Sequence, residues 1–196
     1  MKKAEKTRQY IVEKTAPVFN RKGFEGTSLA DLTEVTGLTK GALYGNFADK
    51  EEIAMEAFKY SMRMVKEMVV QHLSNTPTYR DRISALLAFY SSYVFSPPIP
   101  GGCPLVNTSV EADDHHTSMR RVAVKELTNT ISFIQGLIDG GIEAKEFRPD
   151  IDTKELAYTI FCAIEGALIF SRVEKSSEPM DLIVRHCNRI LENITI

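Results

Sequence analysis

Apolar residues recur along most of this chain with the three- and four-residue spacing of amphipathic α-helices. No stretch alternates between apolar and polar residues in the manner of a half-buried strand, and no hairpin turn joins two β-branched runs. The two clearest stripes are Met55, Phe58, Met62, Val65 and Val69, and then Met180, Ile183, Cys187, Ile190 and Ile194. The pattern predicts an all-α protein with about nine helices.

Helix starts are marked by a capping residue that is followed three positions later by an acid. Three pairs show this arrangement: Ser28 with Asp31, Asp49 with Glu52, and Asp152 with Glu155. The predicted helices cover about 4–21, 28–35, 39–47, 79–95, 104–111, 115–139 and 153–173, with others beginning near 49 and 179. Gly23 is expected to end the first helix, and Gly140 with Gly141 the one at 115–139.

Residues 28–47 predict two short helices joined by a tight turn at Gly37, which is the plan of a helix-turn-helix unit. The second helix contains Gly41 and Gly45, and each glycine costs a helix interior about 0.5–1 kcal/mol relative to alanine. That cost favours a helix whose backbone approaches another molecule closely. The alternative is a helical hairpin that only packs.

The outward positions of this unit carry small or hydrogen-bonding side chains, which suits a surface that contacts DNA. Lys40 can donate to guanine, and Asn46 can pair with a base or a phosphate. Hydroxyl groups near the helix N-termini, together with the charge of Lys50, can contact phosphates. The candidate DNA-binding residues are Thr27, Ser28, Thr39, Lys40, Gly41, Ala42, Tyr44, Asn46 and Lys50.

Residues 8–53 resemble the N-terminal domain of the TetR/AcrR family of bacterial transcriptional regulators. The stretches that carry the resemblance are residues 11–19, KGF at 22–24, TSLADL at 27–32 and GLTKGALYGNFADKEEI at 37–53. Departures are Pro17 inside the first helix and Gly45–Asn46, where many relatives carry larger side chains, and these leave the operator sequence open.

This resemblance implies an all-helical homodimer with a helix-turn-helix DNA-binding domain over residues 1–50. Residues 51–196 are then an effector-binding and dimerisation domain. It further implies a ligand-responsive regulator, expected to be a repressor, that binds a palindromic DNA operator and is released by a small-molecule effector. The family's DNA contacts match Thr27, Ser28, Thr39, Lys40, Ala42, Tyr44 and Lys50.

Charge is distributed unevenly along the chain. Residues 1–50 carry nine basic and six acidic side chains, a net charge of +3, whereas the remainder carries 15 basic and 20 acidic, a net charge of −5. A positive N-terminal block suggests that this end meets a polyanion, although ordinary surface scatter gives a swing of this size too.

The last two predicted helices have wide apolar surfaces. By the resemblance they are the dimerising pair, which would form a four-helix bundle with the partner's copies. The alternative is that these faces belong to the internal core. A dimer also suits an operator with two half-sites, because two-fold proteins read two half-sites about one helical turn or more apart.

An effector pocket is expected among the fourth to eighth helices, because methionine and aromatic side chains adapt to apolar ligands. The candidates are Met62, Met68, Phe89, Tyr93, Cys103, Phe133, Phe161 and Phe170. Residues of these types at helical spacing are also what a plain hydrophobic core contains, so both readings stay open.

The segment GGCPLVNTSVEADDHH at 101–116 is the least ordinary part of the body. Cys103 stands at a predicted helix start, where the helix dipole can make a thiol reactive, so it is either a thiol sensor or a structural cysteine. Acids and histidines at 111–116 could bind a metal, but adjacent residues point in different directions and a solvated helix cap is favoured. We therefore expect no metal and no cofactor.

Composition restricts the function classes further. No apolar run approaches the roughly 18–20 residues that span a bilayer, and the polar first ten residues do not resemble a secretory signal. Three cysteines without metal-type spacing suit a reducing compartment, so we expect a cytoplasmic protein without a membrane partner. The rival functions are a small helical enzyme that uses the 111–116 cluster, which no nucleophile–base pair supports, and a DNA-bound protein that recruits partners without a ligand.

Overall fold

The computed structural model describes residues 3–115 and 117–196, and helices joined by turns make up most of this part of the chain. Its nine helices are α1 (Lys3–Lys22), α2 (Leu29–Thr36), α3 (Lys40–Tyr44), α4 (Lys50–Leu73), α5 (Tyr79–Tyr93), α6 (Pro104–His115), α7 (Thr117–Glu143), α8 (Thr153–Glu174) and α9 (Glu178–Ile194). The only β-type pairing in the described ranges is an isolated bridge between Phe147 and Thr195. The all-α prediction is confirmed.

Short-range capping explains where several helices begin. The Ser28 hydroxyl accepts the Asp31 N–H, and the Asp31 carboxylate accepts the Ser28 N–H, so a complete capping box precedes α2. Asp49 accepts the Glu52 N–H at 2.8 Å at the start of α4. Asp152 likewise accepts the N–H of the residue three positions on, at 2.9 Å before α8. All three predicted starts are confirmed.

The chain divides into two compact units. The first comprises Met1–Lys66 and Pro98–Val124, and the second comprises Glu67–Pro97 and Lys125–Ile196. The first unit thus contains α1, α2, α3 and α6 with parts of α4 and α7. It includes the whole predicted helix-turn-helix module, and the functional boundary at residue 50 stays a prediction.

One hydrophobic core holds the first unit together, and it draws on segments far apart in sequence. Ile11, Leu32 and Leu43 are fully buried in it, so one residue from each of α1, α2 and α3 lies at its centre. Ala112 of α6 and Met119 of α7 belong to the same core. The three N-terminal helices are therefore packed together with a segment that follows them by some 70 residues.

The second unit is built on α5, α8 and α9, with most of α7. Phe89, Tyr90 and Tyr93 of α5 form an aromatic cluster with ring centroids 5.4–5.8 Å apart. At the turn between α8 and α9 the buried Ser171 hydroxyl accepts the Met180 N–H at 3.0 Å. The periodicity predicted these helices individually, but it did not predict the contacts between them.

Helix α7 corrects one prediction. Gly140 and Gly141 do not end this helix, which continues to Glu143. A Cβ at Gly140 would clash with the ring of Tyr79, and one at Gly141 with the ring of Phe147. These glycines are there because two aromatic rings pack directly on the helix backbone, a tertiary requirement that local sequence does not reveal.

Helix α8 is long and apolar enough to cross a membrane by length and composition alone, with a mean hydropathy of 1.5 over 18 residues. In the structure one side of this helix packs in a core, and 44% of the apolar window is buried. Leu156, Ile160, Ile164 and Leu168 on one side are buried in the second unit.

Candidate nucleic-acid interface

The turn that joins α2 to α3 fixes how α3 is presented. Gly37 has φ +67°, a left-handed conformation that glycine adopts without steric penalty, and its N–H donates to the Thr33 carbonyl. Thr39 then caps α3 by accepting the Ala42 N–H at 3.2 Å. Leu43 is fully buried, which turns the opposite face of this short helix outward.

The predicted DNA-binding residues fall into three classes of exposure. Ser28, Thr39, Lys40, Gly41 and Tyr44 are exposed, whereas Ala42, Asn46 and Lys50 are half-buried and Thr27 is buried. The exposed members span the start of α2 and the outward face of α3. Five of the nine candidates are therefore exposed, one before α2 and four at the start of α3 or on its outward face.

Lys40 and Tyr44 lie one helical turn apart on α3. The Lys40 ammonium nitrogen is 5.9 Å from the centre of the Tyr44 ring, and the two side chains therefore share a face. An ammonium group and a phenolic hydroxyl on one face supply donors for base edges and phosphates. A Cβ at Gly41 would meet no atom closer than 4.0 Å, so no internal contact accounts for the glycine there.

Asn46 has a structural role in this state. Its side-chain amide donates to the Ala42 carbonyl at 2.8 Å, and its own carbonyl accepts a hydrogen bond from Arg8. The Arg8 guanidinium also lies 4.1 Å from the centre of the Phe47 ring and pairs with Glu52 at 2.7 Å. Arg8, which sequence reasoning missed, secures the end of α3 through contacts that span about 40 residues.

Lys50 and Thr27 secure the turn between α1 and α2. The Lys50 ammonium group donates to the carbonyls of Phe24 and Thr27 at 2.8 and 3.0 Å, and it lies 4.1 Å from the centre of the Phe24 ring. The Thr27 hydroxyl donates to the Gly23 carbonyl. Both side chains are thus engaged within the protein in this state, and their contact with DNA stays a prediction.

Two carboxyl groups in this unit have lowered pKa values. The hydrogen bond from Lys22, assisted by those from Ser28, lowers the pKa of Asp31 to about 2. The backbone N–H of Ala48, followed by Arg8, lowers the pKa of Glu52. Both groups are therefore charged at neutral pH, and each binds a cation of α1.

The predicted effector-pocket residues lie in both units. Met62 and Cys103 are buried in the first unit, and Phe89, Tyr93 and Phe161 are buried in the second, where Met68 is half-buried. Phe133 and Phe170 are 40% and 62% exposed in the described chain. An interior pocket within a single chain would therefore have to use the buried members of the set.

A small cavity lies in the first unit among α1, α4, α6 and α7. It has a volume of about 30 Å³ and is lined by Phe19, Asn20, Ala57, Ser61, Thr108 and Met119 among others. That space holds about one water molecule, whereas small-molecule sites commonly measure about 300–1,000 Å³. None of the predicted effector-pocket residues lines it.

Of the acid and histidine cluster at 111–116, the structure describes the side chains of Glu111 and Asp113. Glu111 accepts two backbone N–H groups, from Phe24 and Glu25. The side chains of Asp114 and His115, and all of His116, lie outside the described residues. Within the described part of the chain, no three His, Cys, Asp or Glu side chains are grouped as a metal site would need.

Comparison with known proteins agrees with this geometry over nearly the whole chain. The family described as "Bacterial regulatory proteins, tetR family" matches residues 11–57, and "Tetracyclin repressor-like, C-terminal domain" matches residues 80–187. A TetR family transcriptional regulator from Cytophaga hutchinsonii is 40% identical with a TM-score of 0.93, covering 100% of this chain and 98% of its own.

Two further relatives are similar to this chain, one in sequence and one in fold. The HTH-type transcriptional repressor DhaR of Mycobacterium sp. (strain GP1) is 26% identical, over 89% of this chain and 86% of its own. The TetR family regulator CifR, a cysteine mutant solved with 26-bp double-strand operator DNA, is 23% identical with a TM-score of 0.80, over 92% of this chain and 94% of its own. The likeness to CifR is one of fold.

Proposed function

The chain belongs to the TetR family of bacterial regulatory proteins, and on that premise we propose that it is a homodimeric repressor released from its operator by a small molecule. Membership makes it a DNA-binding transcriptional regulator. The palindromic operator, the dimer, the sign of regulation and the effector belong to the proposal. The proposal includes no catalytic reaction. It places the protein in the cytoplasm.

The exposed face of α3 carries the proposal. Lys40 and Tyr44 share that face, and Gly41 beside them has open space where a side chain would stand. A short helix with its apolar residue inward and small or donating residues outward fits the major groove, where base edges are read at close approach. The TetR family regulator CifR, a relative of similar fold, was solved with operator DNA, which supports DNA binding by this chain.

The exposed apolar side chains of α8 support the homodimer. Tyr158, Ile169, Phe170 and Val173 are 49–79% exposed, and Cys162 is exposed between them. Leu182 of α9 is 51% exposed as well. Contiguous apolar surface of this kind commonly marks a protein–protein interface, and a second copy of the same two helices would cover it.

The effector is proposed to bind among the buried aromatic side chains of the second unit. Phe89, Tyr93 and Phe161 are at most 5% exposed there. Aromatic walls with a few polar atoms are typical of sites for small apolar ligands. Binding would favour a conformation of the dimer that misfits the operator.

The DNA-binding part is tested by selecting duplexes from a random-sequence pool with the natural protein. Affinity for the selected DNA is then measured by fluorescence anisotropy at several salt concentrations. We expect affinity to fall with rising salt, because phosphate contacts displace counterions. Lys40→Ala and Tyr44→Ala should weaken binding about tenfold, whereas Lys154→Ala, a matched loss of an exposed lysine on α8, should not. Failure to select any DNA would contradict the proposal.

The dimer is tested separately by light scattering after gel filtration. Phe170→Glu should produce monomers, whereas Val110→Glu, which charges a more exposed apolar position on α6, should stay dimeric. Alkylation of Cys162 provides a second readout, since the thiol is exposed in one protomer and would be covered in the dimer. A monomeric natural protein, or equal mass for both variants, would count against this interface.

A further inference from the structure

The turn between α1 and α2 is held by a side chain from a distant helix. The Glu111 carboxylate of α6 accepts the N–H groups of Phe24 and Glu25 at 2.6 and 2.8 Å, across 87 and 86 residues. Hydrogen bonds to a charged acceptor are about twice as strong as those between neutral groups. This turn leads directly into Ser28, the cap of α2 and one of the exposed DNA-binding candidates.

The same turn is held on its carbonyl side by Lys50, which binds the oxygens of Phe24 and Thr27. The backbone N–H groups of the turn therefore donate to a carboxylate, and its carbonyl oxygens accept from an ammonium group. Each contact satisfies backbone groups that lie beyond the regular hydrogen bonding of α1 and α2. With both in place, the direction in which the chain enters α2 is determined from two sides.

Gly23 makes the approach of Glu111 possible. A Cβ at this position would lie 2.7–2.9 Å from the Glu111 carboxylate, which is closer than real side chains come. The residue also has φ +73°, which ends α1 in the left-handed conformation. Backbone and carboxylate thus fit together without space for any side chain between them.

A second set of contacts attaches the start of α6 to the end of α1. The Asn20 side-chain amide donates to the carbonyl of Gly102 at 2.9 Å. The Asn107 amide donates to the Asn20 carbonyl at 3.0 Å and to the Gly101 carbonyl at 3.1 Å. The residues just before α6 and its first turn are therefore bound to the end of α1, by polar groups that have narrow geometric tolerance.

We infer that Glu111 is a positioning residue for DNA binding, through which α6 sets the orientation of the turn that precedes α2. The inference rests on the proposed function, and it adds a dependence on α6 that the exposed residues of α2 and α3 do not reveal. Displacing α6 breaks the two bonds to Phe24 and Glu25, so that the turn loses the contacts it receives from α6, while the bonds from Lys50 and from the Thr27 hydroxyl are kept. Helix α6 is then part of the DNA-binding machinery although it presents none of the DNA contacts.

The test compares Glu111→Gln with Asp113→Asn, which removes the same charge from an exposed position on the same helix. DNA selected with the natural protein is the probe, and affinity is measured well below the melting temperature of each variant. Glu111→Gln should bind about tenfold more weakly, and amide hydrogen exchange at residues 24 and 25 should accelerate. Asp113→Asn should match the natural protein in both measurements.

Equal affinity of Glu111→Gln and the natural protein would overturn the inference, as would an equal loss in Asp113→Asn. A structural role alone would lower the melting temperature and leave the affinity of the folded protein unchanged, which also overturns it. Where Glu111→Gln does not fold, Glu111→Asp keeps the charge on a shorter side chain. Intermediate affinity of that variant supports positioning, and unchanged affinity contradicts it. If the natural protein selects no DNA, that result contradicts the proposed function and not the role of Glu111 alone.

Discussion

Lys22 places its ammonium nitrogen 2.6 Å from Oδ1 of Asp31, and this ion pair joins the last residue of α1 to the first turn of α2. Asp31 also completes the capping box with Ser28. A single carboxylate thus serves the start of one helix and its attachment to the previous one. The ion pair requires the charged form of Asp31, and that form is also the stronger acceptor in the capping box.

The first prediction concerns acid stability. Asp31 has a folded pKa of about 2 against an ordinary value of 3.8, and the pKa of Glu52 is lowered as well. A carboxyl whose pKa is lowered by folding stabilises the protein above its unfolded pKa, and this contribution is lost as pH falls through the folded value. We therefore expect the melting temperature to decline between about pH 4 and pH 2.

Thermal unfolding followed by circular dichroism between pH 6 and pH 2 is the measurement. Asp31→Asn should lower stability at pH 6 and flatten its decline in acid. Glu34→Gln, on the same helix, is the control, and an acid profile that Asp31→Asn leaves unchanged would contradict the assignment.

The second prediction concerns the glycines of α7. Gly140→Ala should destabilise the protein by about 1–3 kcal/mol, because its methyl group meets the Tyr79 ring. Gly136→Ala is a matched control in the same helix, where a Cβ meets nothing within 4 Å. That control should stabilise the protein by about 0.5–1 kcal/mol through helix propensity. Urea unfolding distinguishes the two, and equal free energies of unfolding would show that Tyr79 does not constrain the helix.

The third prediction separates stability from DNA binding at Gly41. The free protein has open space there, so Gly41→Ala should raise the free energy of unfolding by about 0.5–1 kcal/mol. Affinity for selected DNA should fall nevertheless, because the added methyl group occupies the space between α3 and the base edges. Unfolding and anisotropy are measured on the same preparation, with Gly136→Ala as the variant that should change only stability. Tighter binding by Gly41→Ala would argue against close approach of α3.

The fourth prediction concerns Cys103, which is buried immediately before α6. A maleimide attached to this thiol does not fit in the core. The start of α6 must therefore move to make room for it. We expect N-ethylmaleimide to lower DNA affinity in a Cys162→Ser background and to have little effect once Cys103→Ser is added. An equal response in both proteins would show that Cys103 does not report electrophiles.

Local sequence predicted the helix starts because the interactions responsible for them span three residues. The capping box at Ser28 and the acid caps at Asp49 and Asp152 were all predicted and are confirmed. The outward face of α3 could also be predicted from the sequence. On a helix, an inward Leu43 places Lys40 and Tyr44 on the outward side. The end of α7 was mispredicted because a glycine that ends a helix and a glycine that accommodates Tyr79 look alike in sequence.

The sequence by itself determined the class of fold, the helix-turn-helix module and the family, because helical periodicity, caps and a continuous motif are properties of neighbouring residues. Only the tertiary structure decided which polar side chains face solvent and which are used inside. Lys50 and Thr27 bind the turn before α2, and Glu111 reaches that turn from α6. Contacts across 23 or 87 residues depend on how whole helices pack, and no local pattern encodes them.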